Sequence, residues 1–176
     1  KKQGNIKNGH TPFVTANFYH RYKDDLLITK ALGFTAFRFS IAWSRILPDG
    51  TGKSNKQGID FYHNLIDECL KLGLTPFITL YHWDLPQILE KQGGWTSPLM
   101  QKWFTRFVKV CAENFGDKVK NWIIINEPLS FTALSYMLGK HAPGKKGLTN
   151  FLPAIHNATL AQAEGGRIIR EHVNHA

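Results

Sequence analysis

Glu127 is the residue best placed for acid–base chemistry. It follows the apolar run Trp122-Ile123-Ile124-Ile125-Asn126 and precedes Pro128, so we expect it where a buried strand opens into a cleft. Desolvation in such a place favours the protonated form of a carboxyl group, which is what a general acid near neutral pH requires. Asn126 beside it has an amide that can donate to a substrate hydroxyl. The structural alternative is a strand-end carboxylate that caps a helix or pairs with an arginine.

A second cluster, His82-Trp83-Asp84, follows another apolar run. His and Asp side chains hydrogen-bond sugar hydroxyls, and Trp offers an apolar plate for the C–H face of a sugar. The alternative is a structural histidine on a packed strand end. Asp84 also suggests a two-carboxylate site with Glu127, but Leu85-Pro86 follows at once and favours a turn-forming aspartate.

Arg38 is the third candidate, because it lies inside the apolar segment Phe34–Ile41. A buried arginine needs a partner, and that partner is usually a carboxylate. No carboxylate close in sequence is an obvious match. Glu127, a distant residue and a residue outside this sequence all stay open as partners.

Helices and strands alternate along the chain. Apolar periodicity and end signals predict helices over 19–32, 57–72, 98–115 and 151–172, and apolar runs predict strands over 34–41, 75–81 and 119–125. Ser97 is the expected N-cap of the third helix, with Pro98 as its first residue, and Gly165-Gly166 interrupts the fourth. This order is typical of a parallel α/β sheet covered by helices. The three candidate clusters follow or end the three strands, where such folds place their chemistry.

Composition sets limits on the class of protein. The chain has 176 residues, of which 43% are hydrophobic and 20% charged, so we expect one globular domain over residues 1–176 with a loop over 1–16. Two cysteines are too few for a disulfide framework or a four-cysteine zinc site. No HxxxH or HExxH spacing and no phosphate-binding glycine loop occurs. We therefore expect no metal and no cofactor.

Charge and hydropathy argue against two kinds of partner. The net charge is +9, but the basic residues are scattered, and the densest group, Lys140, Lys145 and Lys146, has no interleaved aromatics. A solvated surface is the expected interpretation, with no nucleic-acid partner. No apolar run approaches the roughly 20 residues of a membrane span, so no membrane partner is expected. Lys1-Lys2-Gln3-Gly4-Asn5 is followed by no apolar core of a signal peptide, which favours a cytoplasmic location.

Several motifs occur together in a particular order. They are Phe18-Tyr19-His20-Arg21-Tyr22-Lys23-Asp24-Asp25, Phe37-Arg38-Phe39-Ser40-Ile41-Ala42-Trp43-Ser44-Arg45-Ile46, Gly58-Ile59-Asp60-Phe61-Tyr62, Thr79-Leu80-Tyr81-His82-Trp83-Asp84-Leu85-Pro86-Gln87, Gly94-Trp95, Phe115-Gly116-Asp117-Lys118-Val119-Lys120, Asn126-Glu127-Pro128 and His141-Ala142-Pro143-Gly144. In this order and spacing the chain resembles glycoside hydrolase family 1, the β-glucosidase family. The resemblance runs from about Ile6 to about Arg170.

The resemblance implies a (β/α)₈ barrel and a retaining double displacement. It implies that Glu127 is the general acid/base, that Asn126 bonds the sugar 2-hydroxyl, and that His82 and Trp83 line the glycone subsite. Arg38 would lie close to the catalytic nucleophile and help to keep it ionised. The expected partner is a β-glucoside or an oligosaccharide, and Trp rather than Phe at position 83 favours plain glucosides over 6-phosphoglycosides.

The chain also departs from the family. A complete barrel needs roughly 250 residues, so the expected fold is a partial TIM (β/α)₈ barrel with strands two to four and helices one to four. The glycone-binding Gln of the family's first strand and the nucleophile Glu in an Ile/Val-Thr-Glu-Asn-Gly motif are absent.

We therefore expect a fragment of a longer β-glycosidase that is inactive alone and associates with the missing half of the barrel or with itself. Two alternatives stay open: a non-catalytic sugar-binding half-barrel that needs a partner chain, and a basic nucleic-acid-binding protein.

Overall fold

A computed structural model describes residues 8, 10 and 15–174. The predicted loop over 1–16 therefore lies largely outside the described residues. Helices α1 to α7 span Phe18–Ala31, Trp43–Ile46, Lys56–Lys71, Gln87–Glu90, Met100–Phe115, Pro128–Thr132 and Leu148–His172. Strands β1 to β3 span Ala36–Ser40, Thr75–Tyr81 and Asn121–Ile125. A 3₁₀ turn covers Gly94–Thr96, and a π-helical turn covers Ala133–Met137.

The strands form a parallel sheet in the order β1-β2-β3, as the alternation of elements predicted. Ser40 of β1 pairs with Thr79 of β2, and Tyr81 of β2 pairs with Ile125 of β3. This register brings the carboxyl ends of all three strands to one edge of the sheet. The candidate clusters lie at these ends: Arg38 is within β1, and the other two clusters directly follow β2 and β3.

Helices α3 and α5 bury regular apolar faces against the sheet. Their sequences repeat apolar residues at helical spacing, and the corresponding side chains are buried. Trp43, in the short helix α2, stacks on Phe107 of α5 with ring centroids 4.7 Å apart. The indole N–H of Trp43 also donates to the main-chain oxygen of Gly50 at 2.8 Å. The segment after β1 is thereby fixed to the core.

Two helices begin two or more residues away from their predicted starts. Helix α5 begins at Met100, so the prediction of Ser97 as N-cap and Pro98 as first residue was wrong. The Ser97 hydroxyl instead accepts from the N–H of Leu99 at 3.3 Å, which closes a turn directly after the 3₁₀ turn. Helix α7 begins at Leu148, and it continues through Gly165-Gly166 without a break.

A helix that crosses a membrane is both long and apolar. Across residues 8, 10 and 15–174, none combines the length and the apolar character that crossing a membrane requires.

Candidate active site

The carboxyl ends of β2 and β3 each carry a residue with unusual backbone geometry. Trp83 has φ of 76° and Glu127 has φ of 46°. Non-glycine residues adopt this left-handed conformation uncommonly, and such positions often coincide with functional sites. Both residues belong to clusters that the sequence predicts to carry chemistry. Each turns the chain sharply at the end of its strand.

Arg38 connects all three strands through its side chain. Its Nε donates to Oγ1 of Thr79 at 2.8 Å, and its Nη2 donates to Oδ1 of Asn126. The side chain is exposed, not buried as its apolar segment suggests. Both partners are distant in sequence, which was one of the open alternatives, and neither of them is a carboxylate. Because the alternation of β1 points Arg38 toward the open side of the sheet, the side chain crosses the strand ends without being enclosed.

Asn126 is buried and receives a hydrogen bond on each of its two oxygen atoms. Its main-chain oxygen accepts from the indole Nε1 of Trp83 at 2.9 Å, and its side-chain Oδ1 accepts from Arg38. An arginine can only donate, so its contact identifies the oxygen end of the Asn126 amide. The amide nitrogen is then the end that can donate to a ligand.

His82 and Ser40 join the ends of β2 and β1. His82 Nδ1 lies 2.8 Å from the hydroxyl oxygen of Ser40. The imidazole ring is exposed, and it lies edge-on to Trp83 with centroids 6.0 Å apart. With Nδ1 engaged by Ser40, Nε2 is the ring nitrogen that can contact a ligand.

Glu127 is the N-cap residue of α6, yet its side chain makes no capping hydrogen bond. The alternative role as a helix cap is therefore wrong. The side chain is also exposed, so the described residues do not shield this carboxyl group from solvent as the sequence predicts. The strand end presents the carboxylate outward, next to buried Asn126.

Asp84 is the turn-forming aspartate that the following Leu85-Pro86 suggested. Its Oδ2 accepts from the main-chain N–H of Trp43 at 2.9 Å, which joins the segments after β1 and β2. Its Oδ1 is buried and has no hydrogen-bond partner. Burial raises the pKa of the Asp84 carboxyl above its ordinary value. Neither oxygen of this carboxylate is available to a substrate.

Sequence reasoning missed several residues that support the site. Thr79 is fully buried and holds Arg38, Ser40 holds His82, and the ring of His141 lies 5.5 Å from that of Trp83. Thr79 and Ser40 are polar residues within otherwise apolar strands, and this contrast is the signal by which the sequence could have identified them. His141 belongs to the motif His141-Ala142-Pro143-Gly144, but no local pattern relates it to Trp83.

A metal site is not evident in this part of the protein. Within residues 8, 10 and 15–174, no group of three or more His, Cys, Asp or Glu side chains could hold an ion. Cys69 and Cys111 are both buried in the core as free thiols.

Comparison with known proteins identifies clear relatives. The family model described as "Glycosyl hydrolase family 1" matches residues 1–176. Beta-glucosidase A of Thermotoga maritima is 46% identical over 170 residues, which covers 97% of this chain and 38% of the relative. Beta-glucosidase 26 of Oryza sativa subsp. japonica is 49% identical over 180 residues, covering 97% of this chain and 35% of the relative.

Solved structures give the same result. The beta-glucosidase from Thermotoga maritima in complex with glucoimidazole superposes with a TM-score of 0.97 at 45% identity, covering 99% of this chain and 40% of that chain. The resemblance found in the motifs and the expected partial (β/α)₈ barrel are both confirmed. The chain spans less than half the length of the curated relatives that it matches.

Proposed function

The chain belongs to glycosyl hydrolase family 1, and we propose that it forms the acid/base side of a retaining β-glucosidase site. The observation that supports this most directly is the convergence of four candidate residues at one sheet edge: side-chain hydrogen bonds join Arg38 and Trp83 to Asn126, and Glu127 is the next residue in the chain. The relatives named above are β-glucosidases, and one of them was solved with glucoimidazole. A terminal β-glucosyl unit is the substrate that this combination favours.

In this proposal Glu127 is the general acid and then the general base. Its exposed carboxyl group donates a proton to the glycosidic oxygen as the bond to the leaving group breaks, and later takes a proton from the attacking water. Asn126 donates from its amide nitrogen to the sugar 2-hydroxyl, because Arg38 holds the oxygen end. His82 and Trp83 bind the glycone, through Nε2 of the imidazole and the face of the indole.

Retention needs a second carboxylate, about 5–5.5 Å from the first. Asp84 is unsuited to this task, since one of its oxygens accepts from Trp43 and the other is buried. Glu90 is unsuited as well, because it is ion-paired with Lys145 and hydrogen-bonded to Tyr136. We therefore assign the nucleophile to a residue outside this sequence, beside Arg38, and expect the 176 residues alone to be inactive.

The surface of the described region supports association with further strands. The outer edge of β1 adjoins Phe34, which is 57% exposed, and Leu32 of the preceding turn is 70% exposed. A parallel sheet of a (β/α)₈ barrel is continuous, and an unpaired strand edge tends to associate. We infer that further strands of the same barrel cover this edge, because the chain spans only 38–40% of the length of its relatives.

The deciding experiment measures the intact mass of the native gene product and its hydrolysis of an aryl β-glucoside. We expect a mass well above 20.0 kDa in the active species, and no turnover from the purified 176-residue chain. Turnover by the chain alone would overturn the assignment of the nucleophile. A native product of this size that binds glucose analogues without turnover would instead support the non-catalytic sugar-binding half-barrel.

A further inference from the structure

One side of Trp83 borders an open pocket. A cavity of about 540 Å³ lies between Trp83, Tyr81, Phe131, Tyr136 and Pro143. A side chain beside an open pocket has fewer van der Waals contacts with protein atoms on that side than one in a packed core. The position of the Trp83 ring therefore depends on the groups that touch its other sides.

Besides the edge-on ring of His82, two further groups touch Trp83. The indole N–H is held by the main-chain oxygen of Asn126, and the ring of His141 lies against the indole with centroids 5.5 Å apart. Asn126 is fixed by the sheet, because its N–H donates to the Tyr81 oxygen at 2.9 Å. His141 belongs to residues 138–147, which we call the His141 loop.

The His141 loop is anchored at Lys145. Lys145 Nζ lies 2.8 Å from Oε1 of Glu90 and donates to the main-chain oxygen of Gly93 at 3.1 Å. Oε2 of Glu90 accepts from the Tyr136 hydroxyl at 3.0 Å. The Lys145 and Glu90 side chains are 29% and 15% exposed, so this pair is screened less than an ordinary surface pair.

The anchor is coupled to His141 through a short piece of backbone. The N–H of Gly144 donates to the oxygen of His141 at 2.8 Å, and Lys146 pairs with Leu138 at the base of the loop. A displacement of Lys145 would therefore move His141. Glu90 and Pro143 also line the cavity beside Trp83, so the anchor and the ring that it supports border the same space.

We propose that the Lys145–Glu90 pair positions Trp83 by holding His141 against it. Lys145 and Glu90 are positioning residues, since they touch Trp83 only through the loop and the cavity wall. The proposal rests on the proposed function for its kinetic effect, because Trp83 is there the plate for the glycone. Its structural part concerns only the contact between the loop and Trp83.

The test uses the complete gene product and three variants of the loop. Lys145→Met removes the charge, Lys145→Arg keeps it, and Lys146→Met is the matched control at the adjacent exposed lysine. Protein labelled with 5-fluorotryptophan gives a ¹⁹F resonance for position 83, assigned as the signal lost in Trp83→Phe. KM and kcat for an aryl β-glucoside are measured in parallel.

We expect Lys145→Met to shift or broaden the Trp83 resonance and to raise KM about three- to tenfold, with kcat changed much less. In Lys145→Arg the Trp83 resonance and KM should stay close to those of the parent protein, and Lys146→Met should leave both unchanged. If Lys145→Met does not fold, Glu90→Gln keeps an acceptor for Tyr136 and tests the same pair. An unmoved Trp83 resonance overturns the proposal whatever the kinetics, whereas a moved resonance in a protein without glycosidase activity supports the anchor and refutes the proposed function.

Discussion

The guanidinium group of Arg38 donates to the side-chain oxygen of Asn126, although the two residues are 88 positions apart. This contact decides which end of the Asn126 amide faces a ligand. The oxygen is occupied by Arg38, and the nitrogen can donate. The outermost described strands, β1 and β3, are thus joined across the end of β2, where Thr79 accepts the second hydrogen bond of the same arginine.

Replacing Arg38 by Met should release the Asn126 amide, because nothing then prevents the amide from turning. In the complete gene product we expect the preference for a glucoside over its 2-deoxy analogue to fall by up to about tenfold in kcat/KM, the value of one neutral hydrogen bond. Parallel kinetics with the two substrates measure this ratio. An unchanged ratio would contradict the orientation of the amide.

The charge of Arg38 leads to a separate expectation. If Arg38 stabilises the ionised nucleophile, Arg38→Ala should move the acidic limb of the kcat/KM profile to higher pH, because the carboxylate loses a nearby cation. Arg38→Lys is the matched control, since it keeps the charge and loses the planar donor pair. An acidic limb that stays in place in Arg38→Ala would reject this role.

Replacing Glu127 by Gln should affect substrates according to their leaving groups. Alkyl β-glucosides need a proton on the departing oxygen, so we expect their kcat/KM to fall about 10²- to 10⁴-fold. Dinitrophenyl β-glucoside needs little acid assistance, so its rate of glycosyl transfer to the enzyme should change far less. Presteady-state bursts measure that step.

The control for the Glu127 experiment is Glu113→Gln. Glu113 lies on α5 with its side chain 46% exposed, so this variant removes only a surface carboxylate and its exposed ion pair with Lys109. Equal losses with both classes of leaving group in Glu127→Gln would argue against the acid role.

The sequence predicted the three strands and the residues that follow them because those signals are local. A run such as Thr75–Tyr81 followed by His82-Trp83-Asp84 is visible without any knowledge of distant residues. The partners of Arg38, the contact of Asp84 with Trp43 and the pair of Lys145 with Glu90 are not visible in this way, since each joins segments 41 or more positions apart. Side-chain exposure is equally non-local, which is why the sequence did not show that the side chains of Arg38 and Glu127 are exposed.

Replacing Asp84 by Asn should change how stability depends on pH. Burial raises the pKa of Asp84, so the folded protein holds this proton more tightly than the unfolded chain does. The stabilisation is complete below the ordinary carboxyl pKa and is lost as the pH rises through the raised value. The amide introduced by Asp84→Asn would still accept from the N–H of Trp43, but it cannot ionise.

Urea unfolding from about pH 4 to pH 7 tests this expectation. The free energy of unfolding of Asp84→Asn, relative to the parent protein, should increase as the pH rises. Asp117→Asn, at an exposed position, is the control. A difference between Asp84→Asn and the parent that is constant over this range would show that Asp84 titrates alike in the folded and unfolded states.

The two glycines in the middle of α7 should respond oppositely to the same substitution. A Cβ on Gly165 would lie 2.6 Å from Cγ2 of Ile124 in β3, whereas a Cβ on Gly166 would meet only the flexible guanidinium of Arg170, at 3.6 Å. Gly165→Ala should therefore separate α7 from the sheet and lower the free energy of unfolding by about 1–3 kcal/mol. Gly166→Ala should raise it by up to about 1 kcal/mol, because alanine favours the helix. Urea unfolding measures the free energy of unfolding of both variants. Equal values would mean that α7 does not pack closely on β3 at Gly165.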